Sequence, residues 1–252
     1  MGDRIGLFAL GVMLIEKPTL WEQQIKAQIR RRYAKQTVDG GLHSNSAARM
    51  RELGYPQEWI VQLPDYLVRR FSGCGCPLAE LEICGDEIII DLGAGAGIES
   101  YLAAHSLSEG RVISVDLTPE MLKVARQAIP EQCFTAIVAD IERLPFQDQL
   151  ADLIVANAAF NLTTNKFNAM SEAYRLLKPD GSLSICELVH DDPLPRDIIE
   201  DPIAHTSSLG GVISQQKLLE TMELVGFKDI KISNAQKFSY VTSVRIYAKR
   251  PV

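Results

Sequence analysis

The chain has 252 residues, enough for one domain with a substantial elaboration, and its 46% hydrophobic content can fill a sizeable core. A formal net charge of −6 argues against a nucleic-acid backbone as the main partner. Five cysteines without a regular framework fit a reducing, cytoplasmic setting and exclude a disulfide-stapled scaffold.

The apolar run Ile5 to Ile15 is shorter than the roughly 20 residues that span a bilayer, and no small-x-small cleavage site follows it. It reads as a buried or docked segment, with no membrane partner. Thr19 is placed to cap a helix running to about Lys35, with Trp21, Ile25, Ile29 and Tyr33 along one face. A loop follows, then a short helix from Ala47 to Leu53 and a mostly helical piece from Gln57 to Phe71. Ser72-Gly73-Cys74-Gly75-Cys76-Pro77 is a glycine-rich turn. Residues 1–80 therefore read as an N-terminal helical lobe ahead of a domain at 81–252.

Ile88-Ile89-Ile90-Asp91-Leu92 is a β-branched run of the kind buried on both faces of a parallel sheet. It feeds directly into Gly93-Ala94-Gly95-Ala96-Gly97 and then a helix. Strands follow at Arg111–Asp116, about Thr135–Ala139, Ala151–Ala156 and Ser182–Val189. Helices lie between them, one opening at Thr118-Pro119-Glu120 and one at about Lys166, the latter carrying Phe167, Met170, Tyr174 and Leu177. This rhythm predicts an α/β fold, a doubly wound, mostly parallel sheet. It breaks between His190 and Ser214, a length that suits a binding loop. A helix capped by Ser214 and two closing strands, Phe227–Ser233 and Lys237–Lys249, complete the chain.

The glycine turn is not a dinucleotide fingerprint, because Ile98 stands where a third-position glycine or alanine would be, and no P-loop Gly-Lys-Ser/Thr follows. Asp91 before the glycines disfavours a phosphate and suits a cation. Asp116, ending the second strand, can accept from both hydroxyls of a ribose. Asp140, ending the third, can accept from the exocyclic amine of adenine, and Leu117 and Ile141 offer apolar faces beside the two acids. A ribose, an adenine and a cation without a phosphate cradle describe S-adenosylmethionine. Asp91, Gly93, Ala94, Gly95, Gly97, Asp116, Leu117, Asp140, Ile141 and Asn157 are the candidate cofactor-binding residues.

Asp91-Leu-Gly-Ala-Gly-Ala-Gly97, Val115-Asp-Leu-Thr-Pro-Glu-Met-Leu122, Asp140-Ile-Glu-Arg-Leu-Pro-Phe146 and Leu176-Leu-Lys-Pro-Asp-Gly181 together resemble the class I S-adenosylmethionine-dependent methyltransferases. Leu53-Gly-Tyr-Pro56, Gly73-Cys-Gly-Cys-Pro77, Asn157-Ala-Ala-Phe-Asn-Leu162 and Gly210-Gly211 extend the likeness to the arsenite methyltransferase group, over residues 50 to 230. The resemblance implies a seven-stranded Rossmann-like sheet. It also implies thiolate ligands for a metalloid. Only Cys74 matches such a position: Ala158 and Ser208 stand where that group has cysteine, and none precedes Cys74.

Methyl transfer from a sulfonium is an in-line displacement in which the protein positions and desolvates, with a base needed only for a protonated nucleophile. Glu187, His190 and His205 are the candidate bases, and His43, Cys74 and Asn161 the candidate acceptor contacts. Cys84, Cys133 and Cys186 read as buried packing residues, and the spacing of Cys74 and Cys76 does not make a zinc site. The expected activity is transfer of a methyl group to a small molecule. The alternatives are an arsenite methyltransferase, a cofactor-binding protein without transfer, and a nicotinamide-dependent oxidoreductase.

Overall fold

The computed structural model describes residues 19–38, 45–192, 194–199 and 202–252; the Ile5–Ile15 run and His43 lie outside the described residues, as does the side chain of His205.

Helix α1 (Leu20–Val38) opens on a reciprocal cap: Thr19 Oγ1 accepts from the Glu22 N–H at 3.2 Å, and the Glu22 carboxylate accepts from the Thr19 N–H. Ile25 and Ile29 are buried, whereas Trp21 at the start of the same face is exposed. Three short helices follow: α2 (Ser46–Glu52), α3 (Gln57–Gln62) and α4 (Asp65–Val68). The single piece expected over Gln57–Phe71 is thus two helices, because Pro64 cannot continue the first and starts the second.

Strands β1 (Ile88–Leu92), β2 (Arg111–Asp116), β3 (Phe134–Val138), β4 (Ala151–Asn157), β5 (Leu177–His190), β6 (Ile213–Ser214), β7 (Lys228–Phe238) and β8 (Val241–Lys249) form one sheet, in the order β3-β2-β1-β4-β5-β8-β7. The seven-strand path is the expected one. The two-residue β6 is an addition, parallel to β5 beside Val189 and His190. Helices α5 (Ile98–Ser106) and α6 (Pro119–Ala128) cover one face, and α7 (Lys166–Leu176) and α10 (Gln215–Val225) the other.

Strand β1 shows how sequence sets the layers. Successive side chains point to opposite faces. Ile90 and Leu92 enter the core under α7 and α10, and Ile89 the core under α5 and α6. All three are fully buried, and each contributes about 1.5–3 kcal/mol by leaving water. The second core continues without a break into Met50, Leu53, Tyr55, Leu67 and Phe71, so α2 to α4 pack on the α5 face.

Three boundaries differ from expectation. Strand β5 begins at Leu177 and includes Pro179 and Gly181, because the ladder to β4 is irregular there and Asp180 N donates instead to Arg250 O at 2.9 Å. Strand β7 runs on through Asn234 to Phe238. Its register shifts between Ser233 and Gln236, and this bulge carries the polar residues that read as a turn. The stretch from His190 to Ser214 holds two short helices, α8 (Arg196–Ile199) and α9 (Pro202–Thr206), as well as β6. Phe167 is 47% exposed and does not belong to the apolar face of α7. Among the described residues, no helix is long and apolar enough to cross a membrane.

Candidate active site

Chain order reverses between β1 and β4, the point where an open α/β sheet leaves a crevice beyond its strand ends. A cleft of roughly 710 Å³, counted out to solvent, lies there. Its walls include Gly93 and Gly95 after β1, Asp116 and Leu117 after β2, Asp140 and Ile141 after β3, and Asn157 at the end of β4. Seven of the ten candidate cofactor residues therefore meet in one place. Asp91, Ala94 and Gly97 do not line it.

For Asp91 and Gly97 the reason is local, and Ala94 is simply buried. Asp91 shares the face of Ile89, so its side chain turns under α5, where Oδ2 accepts from Ser100 N at 3.1 Å and Ser100 Oγ at 2.6 Å. Burial, then the neighbouring Glu99 carboxylate, raises its pKa well above the usual range against the pull of those bonds. The expected role of Asp91 beside a cationic ligand is corrected: it anchors the helix behind the turn. Gly97 has φ +89° and a side chain there would meet Ala125 Cβ at 2.6 Å, so its glycine serves the packing of α5 on α6. Gly95, with φ +54°, has nothing within 4 Å of where a Cβ would stand. Of the two glycines in the cleft wall it is the one with open space, since a Cβ at Gly93 would run into Ala159 Cβ.

Asp116 Oδ2 accepts from Gly95 N at 2.9 Å and Oδ1 from Thr118 N at 2.7 Å. These bonds, with a further one from the Thr118 hydroxyl, fix the carboxylate and leave only part of its accepting capacity to a ligand hydroxyl. Thr118 turns its hydroxyl to Asp116 and does not cap α6 through its own side chain, although Pro119 starts the helix as expected. Asp140 Oδ1 accepts from Glu142 N at 3.0 Å, while its Oδ2 pairs with Lys26 Nζ at 2.7 Å. Lys26 also pairs with Glu142 Oε2 at 2.8 Å. Burial pulls the Lys26 pKa down, but its bonds to the two acids outweigh that and hold it above its ordinary value.

Helix α1 thus forms one wall, through Lys26, Ile29 and Tyr33. Burial raises the pKa of Tyr33, and its hydroxyl bonds to Ser208, from the segment after α9. None of these three was identified as a site residue from sequence. A tyrosine on an apolar helix face was the available signal.

Asn157 joins the cleft to the Gly73–Gly75 turn. Its Oδ1 accepts from Cys74 N at 2.8 Å, and its Nδ2 donates to Gly75 O at 2.7 Å and Glu99 Oε1 at 2.9 Å. Tyr55 donates to the same Glu99 oxygen.

The candidate bases separate. Glu187 is fully buried and accepts from Phe160 N at 2.9 Å and Asn161 N at 3.0 Å, so it pins the turn Phe160–Leu162 and does not line the cleft. Burial pushes its pKa up to about 7, against the pull of those N–H bonds and of Lys166. His190 ends β5 outside the cleft, with Nδ1 buried and unpaired among the described residues. Asn161 spends its amide on the backbone of Leu188, at 2.9 and 2.8 Å, and is structural where an acceptor contact was expected.

Cys74, Cys76 and Cys186 border a separate cavity of roughly 490 Å³ counted out to solvent, and Cys186 Sγ lies 2.6 Å from where a Gly75 Cβ would stand. Burial pushes the Cys76 thiol up to about 12 and raises Cys74 and Cys186 as well. Among the described residues, no group of three His, Cys, Asp or Glu side chains is placed to hold a metal ion. Cys84 is exposed and Cys133 half-buried, contrary to their reading as core residues.

The residues of the cleft fit S-adenosylmethionine. An open glycine, a carboxylate with accepting capacity left and two apolar side chains match its methionine, ribose and adenine parts. Residues 85–226 match the family model described as a methyltransferase domain. The chain belongs to this methyltransferase family. It is 30% identical over 201 residues to an arsenite methyltransferase of Halobacterium salinarum, covering 77% of this chain and 51% of that protein. It is 34% identical over 102 residues to a demethylmenaquinone methyltransferase of Chlamydia caviae, covering 40% of this chain and 44% of that one. The chain spans about half the length of the curated relatives it matches. The crystal structure of an arsenic(III) S-adenosylmethionine methyltransferase from Chlamydomonas reinhardtii superposes with a TM-score of 0.66 at 26% identity, covering 76% of this chain and 71% of that one. Family membership decides against the nicotinamide reading.

Proposed function

We propose that this methyltransferase transfers the methyl group of S-adenosylmethionine to a small organic acceptor. The observation that carries the reading is Asp116, held by Gly95 N and Thr118 N with accepting capacity left over, in a cleft walled by Gly95, Leu117 and Ile141. Bound S-adenosylmethionine would supply both the methyl group and its own leaving group. The chain's part is placement and exclusion of water. Asp116 would orient the ribose, Asp140 and Ile141 the adenine, and Ile29 and Tyr33 would close the cleft from α1.

Arsenite is the second reading, favoured by the 30% identity to an arsenite methyltransferase. The local chemistry opposes it. Ala158 and Ser208 supply no sulfur, and burial keeps the Cys74 thiol protonated. The test has two parts. Calorimetry with S-adenosylhomocysteine should show saturable binding, and its absence would refute the donor site. Incubation with methyl-labelled cofactor, arsenite and glutathione should give no methylated arsenic, whereas hydroxyl, amine and carboxylate acceptors are screened in parallel. Ready arsenic methylation would establish the second reading instead.

A further inference from the structure

Helix α1 lies across the strand ends in a defined register. Lys26 pairs with Asp140, beyond β3 at the edge of the sheet. Lys26, Ile29 and Tyr33 share one stripe of the helix, and all three line the donor cleft. From Lys26 to Tyr33 the helix advances about 10 Å. The step from β3 across β2 to β1 is two strand spacings, also about 10 Å. Two observations fix the direction. Arg32 Nη1 lies 3.5 Å from Thr206 Oγ1 at the end of α9, so this half of α1 points away from β3. The Tyr33 hydroxyl bonds to Ser208 and lies in the fields of both Asp116, at the end of β2, and Glu187, which pins the turn after β4. The strand between β2 and β4 is β1. Tyr33 therefore stands over the Gly93–Gly95 turn.

In the donor reading above, that position is the joint of the cofactor. Asp116 takes the ribose beyond β2, and the methionine part lies along the β1 turn and the end of β4, so the sulfur joining them falls over β1. The sulfur carries a positive charge, and the carboxylates near it are committed. Asp91 turns under α5 to Ser100, Glu187 is held by Phe160 N and Asn161 N, and Asp116 serves Gly95, Thr118 and the ribose. Tyr33 is the one aromatic side chain lining the cleft among the described residues. An electron-rich ring attracts a cation to its face, most strongly where water is excluded. We infer that Tyr33 reads the charge of the donor: its ring faces the sulfonium and favours S-adenosylmethionine over S-adenosylhomocysteine, the neutral thioether left after transfer. The inference rests on the donor-site reading. Ser208 holds the ring in place from the segment after α9. Once the methyl group has left, the ring loses its cation while the ribose and adenine contacts stay as they were, and this favours release of the product.

The experiment is calorimetry of S-adenosylmethionine and S-adenosylhomocysteine on the full chain, as wild type, Tyr33→Phe and Tyr33→Leu. The readout is the ratio of the two dissociation constants, in which contacts common to both ligands cancel. Tyr33→Leu should shift that ratio against S-adenosylmethionine by about 2–30-fold. Tyr33→Phe keeps the ring, gives up the Ser208 bond and should shift it little. A ring-trifluorinated phenylalanine in place of Tyr33 guards against a misfolded Tyr33→Leu. It has nearly the shape of Tyr33→Phe but a weakened negative face, so its ratio should move in the direction expected of Tyr33→Leu. An unchanged ratio in Tyr33→Leu or in the fluorinated chain, or equal shifts in Tyr33→Phe and Tyr33→Leu, would overturn the inference and leave the donor site standing. Failure of S-adenosylhomocysteine to bind the wild type would remove both.

Discussion

Lys26 Nζ on α1 lies 2.7 Å from Asp140 Oδ2 after β3, a contact between residues 114 apart in sequence. The same ammonium reaches Glu142, whose side chain is only 8% exposed. A single lysine thereby fastens the first helix over the donor cleft and offsets one of the two negative charges of its wall.

Lys26→Met should accordingly leave the nearly buried Glu142 carboxylate without its cation, with only the Thr164 N–H and hydroxyl still donating to it. The loss expected is about 1–3 kcal/mol, below the figure for a fully buried pair because Asp140 is partly exposed to solvent. Thermal unfolding and limited proteolysis check it: the melting temperature should fall and α1 become the first site cut. An unchanged melting temperature would mean that α1 docks through Ile25 and Ile29 alone.

Asp116→Ala should weaken S-adenosylhomocysteine by about 1–3 kcal/mol, the range for losing hydrogen bonds to a charged group. Asp116→Asn should cost less, since its carbonyl can still accept one backbone N–H. Calorimetry on both variants decides the matter, and equal affinity to the wild type would place the ribose elsewhere.

Gly95 and Gly97 should fail differently. Gly97→Ala sets a methyl 2.6 Å from Ala125 Cβ at φ +89°, and should cost roughly 2–4 kcal/mol of stability through strain and overpacking. Gly95→Ala meets no neighbour, so its stability loss should be about 1 kcal/mol while cofactor binding falls more. Paired urea melts and ligand titrations separate the two. Loss of stability alone in both variants would show that neither glycine serves a ligand.

Glu187 supplies a pH test. Its folded pKa of about 7 exceeds that of the unfolded chain, so the folded state holds the extra proton between about pH 4.5 and 7. Its contribution is most favourable below the unfolded pKa and declines as pH rises through 7. Glu187→Gln removes this titration but sets an amide N–H against one of the two backbone donors, at about 1 kcal/mol. Stability measured by urea unfolding from pH 4.5 to 8 should fall less steeply with pH in the variant. Parallel profiles would show that Glu187 does not titrate in that window.

Much of the frame was legible because its signals are local. The boundaries of β2 were those its β-branched run predicts, and β1, β4 and α10 followed from apolar runs and caps a few residues long. The ends of β2 and β3 placed Asp116 and Asp140 beside the switch point for the same reason. Asp91 was misjudged because chain adjacency to the glycines says nothing about which face of β1 a side chain takes; the period-two alternation turns it under α5 toward Ser100.

The sequence by itself determined the elements of the proposed donor half of the site: a strand, a glycine turn and acids at consecutive strand ends, each specified within a few residues. Only the tertiary structure decided what closes that half. Lys26 and Tyr33 come to the cleft by docking of α1. Such convergence depends on helix packing and strand order across the whole chain, for which no local periodicity carries a signal.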